Sequence, residues 1–523
     1  MAQVDASIVT KLRKAILNIC PYPRGCRRFS DMIRHIPLNH EIEEGKQICK
    51  TVGELLDERI FNSANIYFDK EAPFQLEDIL ISGSYSEGMN KVNLKIQSIS
   101  DIDFMLILKN VKVTEEDQKK GNLAVKENTP FVNLYLSDEG LIEMWTHFLE
   151  TSNNTRSDKG IKLSPRKLKS RFREKYVTSE PIFTPLVEEN VKDVDEGPSV
   201  AVESILPGKI EVANQSHLGH LPVEEFDFVL AIKCDGWPLC AQEWPSRPRC
   251  WPGQEIVQKI FVGGFHIVCK SSSEGDFRLS YSNAETTLVQ SLSSLQHKTY
   301  RAFKSFIRYY KDEWNRNGKK IICSYHLKTV LFWYCEKSDP KDWTEERIDG
   351  HLLQLIDDLI SALKEGNLPM YFMPKYNLMD GIMEDVSGVV EKLTKLRFSL
   401  DLITKAIIFE EPDFQAWKNF IFNSTIPGLP QLTEKSIEEG KFNPDQFLQH
   451  GQTVLESYDE FWVNSTEKMP IARDHLQREG ASKALCELST RYVDKFCESM
   501  NDECKNKSLK ENIKTAFNQF RFN

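Results

Sequence analysis

Long apolar runs are missing from this chain of 523 residues. No stretch approaches the roughly twenty consecutive apolar residues that a membrane-crossing helix needs. Residues 1–19 mix apolar side chains with the charges of Asp5, Lys11 and Lys14, so they lack the uninterrupted apolar core of a signal peptide. We therefore expect a cytoplasmic protein with no membrane partner.

The chain also lacks a cysteine framework. Its 12 cysteines are scattered, and none of them forms a Cys-x-x-Cys pair. This pattern predicts free thiols and no structural zinc. Glycine and proline are few, and no internal repeat or low-complexity tract is present. The net charge of −10 excludes a protein that coats nucleic acid with its whole surface, but it permits a local basic patch.

Apolar periodicity predicts a mixed α/β lobe followed by a helical lobe, which is an α+β fold. A long amphipathic helix is predicted over residues 48–60, ahead of the first strand. Strands are predicted over residues 76–81, 101–108, 224–232, 261–270 and 277–282, with a helix around 163–176. After residue 285 the apolar spacing is almost entirely helical. The helix predicted over residues 352–363 ends at Gly366 and Pro369. The predicted domains are 1–285, 286–405 and a helical extension over 406–523.

One motif carries chemistry. Residues 81–88 read ISGSYSEG and follow a predicted strand, and Asp101 and Asp103 open the next one. Because side chains alternate along a strand, these two carboxylates share a face. Mg²⁺ prefers carboxylate oxygens together with substrate phosphates, and Mn²⁺ is an alternative. The backbone at Gly83 and the hydroxyl of Ser84 would then meet a triphosphate.

A two-metal site needs a third acidic ligand, and Asp227 is the best candidate. It lies in the middle of an apolar strand, and Glu225 on the same face is its rival. Two metal ions can activate an attacking hydroxyl and stabilise a leaving pyrophosphate. A Gly-Ser pair or an Asp-x-Asp alone is ordinary turn or cap chemistry. The order strand, turn, spacer, strand, with a third aspartate, is what indicates a nucleotidyltransferase.

With these residues in place, the chain resembles cyclic GMP–AMP synthase and the cGAS-like receptors of the wider male-abnormal family. The resemblance covers about residues 40–400. Beyond the catalytic strands it rests on these further segments: SYHLKT at 324–329, LFW at 331–333, GNLPMYF at 366–372, NL at 377–378, GPS at 197–199 and GWP at 236–238.

The resemblance implies a bilobed nucleotidyltransferase with a long spine helix and a cleft between its lobes. Such enzymes join ATP, GTP or other NTPs into a cyclic dinucleotide for innate immune signalling, and the product would act on a STING-type receptor. The resemblance further assigns Lys304 to the triphosphate, Arg278 to a base, and Ser324 with Tyr325 to the nucleotide. Asp101 stands where the vertebrate enzyme has glutamate. Ser324 also suits a helix N-cap, Tyr325 core packing and Lys304 a solvated position.

One departure from the resembled enzyme concerns zinc. The vertebrate enzyme carries a His/Cys zinc cluster between the arginine strand and the lysine helix. Here residues 283–299 contain His297 but no cysteine. The zinc module that supports DNA binding in that enzyme is therefore absent from this sequence.

A basic segment follows the second predicted strand. Its cationic residues are Arg156, Lys159, Lys162, Arg166, Lys167, Lys169, Arg171, Arg173 and Lys175. Such runs are often solvated faces, but in the resembled family this region contributes to the activating ligand surface. Lysines and arginines of this kind bind phosphates without reading sequence, and duplex RNA is recognised mainly by shape. We expect double-stranded RNA as the activator, with DNA second.

Two alternatives stay open. The chain can be a catalytically silent scaffold of the same fold, against which the intact aspartates argue. It can also be a template-independent linear oligonucleotide or poly(A)-type polymerase built on the same core.

Overall fold

The computed structural model describes residues 6–19, 24, 27, 73–89, 92–93, 98–99, 101–150, 156–157, 159–173, 200–203, 225–269, 276–316, 319–380 and 386–411. The helix predicted over residues 48–60 lies outside these ranges, and so does the part of the extension predicted over 406–523 that follows residue 411. Lys175 of the basic segment also lies outside them.

Most of the described strands lie in the first lobe, and the last two belong to the second. Their bounds are β1 Leu76–Ser82, β2 Val92–Asn93, β3 Ser98–Ile99, β4 Ile102–Val113, β5 Leu123–Val125, β6 Phe131–Leu136, β7 Arg156–Ser157, β8 Gly160–Lys162, β9 Val200–Glu203, β10 Glu225–Cys234, β11 Phe265–Cys269, β12 Phe277–Ser280, β13 Asn315–Arg316 and β14 Lys319–Lys320.

One large sheet organises this lobe. Its strand order is β1-β4-β10-β11-β12-β6-β8-β7, with β5 added on β6 and β9 added on β10. The pair β4–β10 is parallel, whereas β1–β4 and β10–β11 are antiparallel. Strands β4 and β10 lie in the interior of the sheet, and most of their described side chains are buried. That position accounts for the long apolar runs in their sequences.

Helices pack on the sheet and then form the second lobe. Their bounds are α1 Ala6–Leu17, α2 Gly83–Ser86, α3 Glu115–Lys120, α4 Glu139–Met144, α5 Pro165–Phe172, α6 Glu243–Ser246, α7 Gln254–Val262, α8 Ser282–Ser291, α9 Ser294–Tyr309, α10 Lys311–Trp314, α11 Ser324–Lys337, α12 Ile348–Glu365, α13 Val386–Arg397 and α14 Leu400–Glu410. None of the helices in the described ranges is long and apolar enough to cross a membrane.

Several predicted boundaries were wrong. The strand predicted over 261–270 begins only at Phe265, because α7 runs to Val262 and a double-glycine turn follows. Gly264 has φ +70°, and a Cβ there would meet the carbonyl of Cys234 at 2.5 Å. The strand predicted over 277–282 ends at Ser280, since Ser282 already starts α8. The helix predicted around 163–176 begins at Pro165, after the Ser164 cap, and its predicted end lies outside the described residues.

The second lobe is a helical layer built around α9. Ser293 and Gln296 form a capping box at its start, so two backbone N–H groups are satisfied there. Helix α9 packs against α12 and α14, and the N-terminal α1 packs against all three. Helix α12 ends at Gly366, which adopts φ +62° as a left-handed cap. The predicted stop at Gly366 is confirmed.

The two lobes are joined by a buried arginine. Arg247, just after α6, lies with its guanidinium carbon 4.5 Å from the ring centre of Trp333 in α11. Its Nη1 forms an ion pair with Glu336 at 3.3 Å, and its Nη2 donates to the carbonyl of Tyr371 at 3.0 Å. Both ion-pair partners are almost fully buried. These contacts fix the second lobe against the first.

Candidate active site

Strand β1 runs directly into a tight turn beside β4. The turn comprises residues 83–89, and its first four residues form the single helical turn α2. Gly83 has φ +63°, and a Cβ at this position would overlap the carboxylate of Asp103. Only glycine therefore lets the turn approach the strand that closely. The sequence-predicted Gly-Ser turn is thus placed against the predicted acidic strand.

Asp103 and Asp227 lie side by side on the two parallel strands. They are paired in register across β4 and β10, so their Cα atoms are direct neighbours. Partial burial, then the charges of Asp227 and Asp101, raise the pKa of Asp103 to about 7. Asp101 is exposed and stands one residue before β4. The structure therefore pairs two of the predicted aspartates and leaves the third at the rim.

The donor set bears on whether a divalent cation fits here. Within the part of the chain that the structure describes, no three acidic, histidine or cysteine side chains form a ready metal-binding group. Mg²⁺ is commonly held by one or two carboxylates together with substrate phosphates, rather than by a full protein cage. Burial and then the repulsion from Asp227 and Asp101 raise the pKa of Asp103, and a cation would relieve that repulsion. Asp103 and Asp227 thus fit a cation that arrives with a triphosphate, with Asp101 as a further oxygen donor.

Lys304 reaches the turn from helix α9. Its side chain is buried, and Nζ donates to Ser84 Oγ at 3.1 Å and to the Met89 carbonyl at 3.3 Å. Burial first, and then the nearby charge of Arg308, lower the pKa of Lys304 to about 7. Lys304 and Ser84, both predicted from the sequence, are therefore in contact. A phosphate group at Ser84 would lie within reach of this ammonium.

A buried charge cluster behind the turn was not predicted. Lys328 Nζ of α11 donates to Glu87 Oε1 at 2.6 Å and to Glu285 Oε2 at 2.9 Å. Burial raises the pKa of Glu87, while Lys328 opposes that shift. The two carboxylates keep the pKa of Lys328 well above its usual value despite burial. Glu87 lies inside the turn motif and Lys328 inside SYHLKT, but neither segment of the sequence indicates that these two side chains meet.

Helix α9 also holds the backbone of the turn. His297 Nε2 is 3.1 Å from the Glu87 carbonyl, and Arg301 Nη1 donates to the Gly88 carbonyl at 2.6 Å. Burial, followed by the charges of Arg24 and Arg301, lowers the pKa of His297 well below its usual value. His297 therefore acts as a neutral partner of the turn. This contact accounts for a histidine that the sequence left without a role.

The remaining nucleotide-binding candidates lie on two elements. Ser324 is the exposed first residue of α11, and the cap of that helix is Cys323. Tyr325 is partly buried and packs against the core. Arg278 on β12 is partly buried and close enough to lower the pKa of Tyr325, although burial raises that pKa overall. Arg278 thus lies near enough to Tyr325 for an electrostatic effect, and Ser324 has no capping role.

Only some side chains of the predicted basic segment are exposed at the surface. Lys159 and Arg166 are exposed, whereas the side chain of Lys169 is buried on the sheet side of α5. Lys162 pairs with Glu150 at 3.0 Å, and Lys167 Nζ donates to the Leu149 carbonyl at 2.7 Å.

The other members of the basic segment differ in position. Arg171 and Arg173 are partly exposed. The backbone of Arg156 lies in β7, which pairs with β8. Lys169 therefore departs from the predicted nucleic-acid surface, because its stem packs into the core.

Comparison with known families matches both lobes. Residues 92–291 match the Mab-21 protein nucleotidyltransferase domain. Residues 295–394 match the Mab-21 protein HhH/H2TH-like domain. The first match begins just after the Gly83-Ser84 turn and includes Asp101, Asp103 and Asp227.

Individual relatives carry the same family name. Protein mab-21-like 3 of Danio rerio is 29% identical over 202 residues, which are 38% of this chain and 50% of that protein. Protein mab-21-like of Drosophila melanogaster is 32% identical over 205 residues, covering 35% of this chain and 51% of that protein. The chain thus spans about half the length of these curated relatives.

Proposed function

Since the chain belongs to the Mab-21 family and carries its nucleotidyltransferase domain, we propose that it joins two nucleoside triphosphates into a cyclic dinucleotide. The observation that carries this proposal is the in-register pairing of Asp103 with Asp227 beside the Gly83-Ser84 turn. A nucleotidyl transfer needs phosphate binding and acidic residues within one site. The turn and the two strands supply both.

Each residue has a defined part in the proposed site. Ser84 and the backbone of the turn bind the triphosphate, and Lys304 adds a positive charge directly behind Ser84. Asp103 and Asp227, with Asp101 at the rim, would hold Mg²⁺ or Mn²⁺. When bound, the ion would favour the attacking hydroxyl and the leaving pyrophosphate electrostatically. The raised pKa of Asp103 supports this part, because burial and repulsion disfavour its charge until a cation compensates it.

The cleft wall supports nucleotide bases as ligands. Tyr325 offers an aromatic face, and Arg278 beside it offers a planar cation that can donate to a base edge. ATP, GTP or other NTPs are the proposed substrates. The family resemblance implies closure into a cyclic product and action of that product on a STING-type receptor in innate immunity.

Double-stranded RNA is the proposed activator. Lys159 and Arg166 are the exposed cations of the basic segment, and Arg171 and Arg173 add partly exposed charge. Such side chains neutralise phosphates without reading bases. The zinc module that supports DNA binding in the resembled enzyme is absent from the sequence between β12 and α9, which favours RNA over DNA.

The test is product formation. The full chain would be incubated with the four NTPs, Mg²⁺ or Mn²⁺, and either an RNA or a DNA duplex, and the product identified by mass spectrometry. Resistance to phosphatase and exonuclease marks a cyclic product without free ends. Asp103→Asn combined with Asp227→Asn should abolish synthesis, whereas Glu127→Gln, an exposed carboxylate on a loop, should leave it unchanged.

The alternatives predict other outcomes. A product with a digestible end would identify a linear polymerase instead. Absence of any product under every duplex and metal tested would favour a silent scaffold. Synthesis that survives in the double aspartate variant would refute the assignment of Asp103 and Asp227.

A further inference from the structure

The Gly88 carbonyl fixes the geometry of the phosphate-binding turn. Residue 88 has φ +67°, and the next amide, that of Met89, donates to the Ser84 carbonyl at 2.8 Å. The turn therefore closes on itself, so that a shift at Gly88 is passed to Ser84. The Gly88 carbonyl accepts from Arg301 Nη1 at 2.6 Å, and this contact is buried. Arg301 is thus the anchor of the closing end of the turn.

Arg301 is in turn held by a carboxylate outside the matched family domains. Its Nε and Nη2 donate to Glu411 Oε2 at 3.1 and 2.7 Å. The other carboxylate oxygen of Glu411 accepts from the hydroxyl of Ser305. The side chains of Arg301 and Glu411 are only 3% and 7% exposed. Burial makes each charge dependent on the other, because removal of one partner leaves an uncompensated charge in the protein interior.

Glu411 lies in a distinctive place in the chain. It directly follows α14, whose last residue Glu410 pairs with Arg308 at 3.7 Å. The matched second domain ends at residue 394, so neither glutamate lies within it. Both carboxylates face α9. Among the described contacts, only Glu411 of the two pairs with Arg301, the residue that holds the turn.

We propose that Glu411 is a positioning residue for the phosphate-binding turn and acts through Arg301. The carboxylate fixes two nitrogens of the guanidinium fork, which aims the third at the Gly88 carbonyl. A planar fork can serve both partners at once, whereas a lysine ammonium is a point charge that cannot. The proposal rests on the proposed function for its effect on nucleotides, but its effect on the turn stands independently.

Hydrogen–deuterium exchange of the full chain tests the positioning directly. In the turn, the amides of Glu87, Gly88 and Met89 donate within the turn and report on its closure. Glu411→Gln should speed exchange in residues 83–89 about tenfold, as expected for a local loss of stability. The strand β11 should keep its wild-type exchange, since a general destabilisation would raise exchange there as well.

The neighbouring glutamate provides a matched control. Glu410→Gln removes an equally buried carboxylate at the same helix end, and should leave exchange in residues 83–89 unchanged. Glu411→Asp retains the charge and should restore part of the protection. If Glu411→Gln fails to fold, Arg301→Lys takes its place under the same criterion. Wild-type exchange in the turn of a folded Glu411→Gln or Arg301→Lys protein would overturn the proposal.

Kinetics separate this proposal from the proposed function. With nucleotidyl transfer established, Glu411→Gln should raise the KM for NTP about tenfold while kcat stays within about twofold, because binding rather than chemistry is weakened. Faster turn exchange in a protein that forms no product would support the positioning role and refute the proposed function. A lowered kcat with unchanged KM and unchanged exchange would refute the positioning role alone.

Discussion

Replacement of Asp103 by asparagine should make the metal-free protein more stable while it destroys the proposed activity. Asp103 lies beside Asp227 on parallel strands and has a pKa of about 7. A carboxyl whose folded pKa lies above its unfolded pKa weakens folding once it is ionised. The unfolded chain releases the proton near pH 4, whereas the folded chain retains it until about pH 7. Stability is therefore lost as the pH rises between these values.

The size of the effect follows from the two pKa values. The interval from 3.8 to about 7 corresponds to about 4 kcal/mol above pH 7. Because the side chain of Asp103 is only partly buried, solvent reduces the interaction, and we expect about half of it, or about 2 kcal/mol. For a domain of this size that raises the melting temperature by about 5 °C. At pH 5.5 the gain should be about half as large.

The assay is thermal unfolding in EDTA across pH 5.5 to 8.5. Asp103→Asn should melt above wild type at high pH, and the difference should shrink on acidification. The melting temperature should rise less for Asp101→Asn, whose carboxylate is exposed, and should not rise for Glu127→Gln. Addition of Mg²⁺ with a triphosphate should raise the melting temperature of wild type, because the cation compensates the charge of Asp103. The asparagine variant should not show this rise. An Asp103→Asn protein no more stable than wild type at pH 8 would refute the electrostatic reasoning.

Three further predictions concern other parts of the molecule. Because the pKa of Lys304 is about 7, its charge is lost above that pH, and NTP affinity at saturating Mg²⁺ should fall about tenfold from pH 6.5 to 8.5. Lys304→Arg should flatten this profile in a binding titration, and a parallel fall in both proteins would contradict the assignment. Lys159→Glu combined with Arg166→Glu should weaken duplex RNA binding and reduce its salt dependence in a filter or anisotropy assay. Lys395→Glu on α13 is the control. Equal effects of the two changes would place the RNA surface elsewhere. Gly366→Ala should lower the free energy of unfolding by about 1 kcal/mol, because Gly366 is a left-handed cap. Gly350→Ala on the same helix has open space around it and should raise that free energy by about 0.5 kcal/mol. Urea unfolding measures both changes, and effects of equal sign would contradict the backbone argument.

Much of the site could be predicted because its strands have strong local signals. The apolar runs around Asp103 and Asp227 identify interior strands, and the alternation of side chains puts charges on one face. The register between β4 and β10 could not be derived in this way. Their pairing joins segments 124 residues apart, and nothing in either segment specifies its partner. The rim position of Asp101 depends on where β4 begins, which periodicity fixes only loosely.

The buried charges behind the turn were beyond the reach of pattern reasoning. Lys328 lies between Leu327 and Thr329 in α11, and its buried partners Glu87 and Glu285 come from two other segments of the chain. A buried charge is tolerated there only because the opposite charges are present, and that compensation depends on tertiary contacts. Lys169 shows the reverse case, since a basic run predicted a surface and packing buried one of its members.

The parallel pairing of β4 with β10 also has a consequence for synthesis of the chain. At about 5–20 residues per second, the ribosome needs on the order of ten seconds to advance from residue 103 to residue 227. During that interval β4 can pair with β1, but its other edge has no native partner. An open apolar strand edge invites pairing with other chains. A nascent chain, or any recombinant fragment that stops short of residue 225, should therefore be a preferred client of chaperones and prone to aggregate.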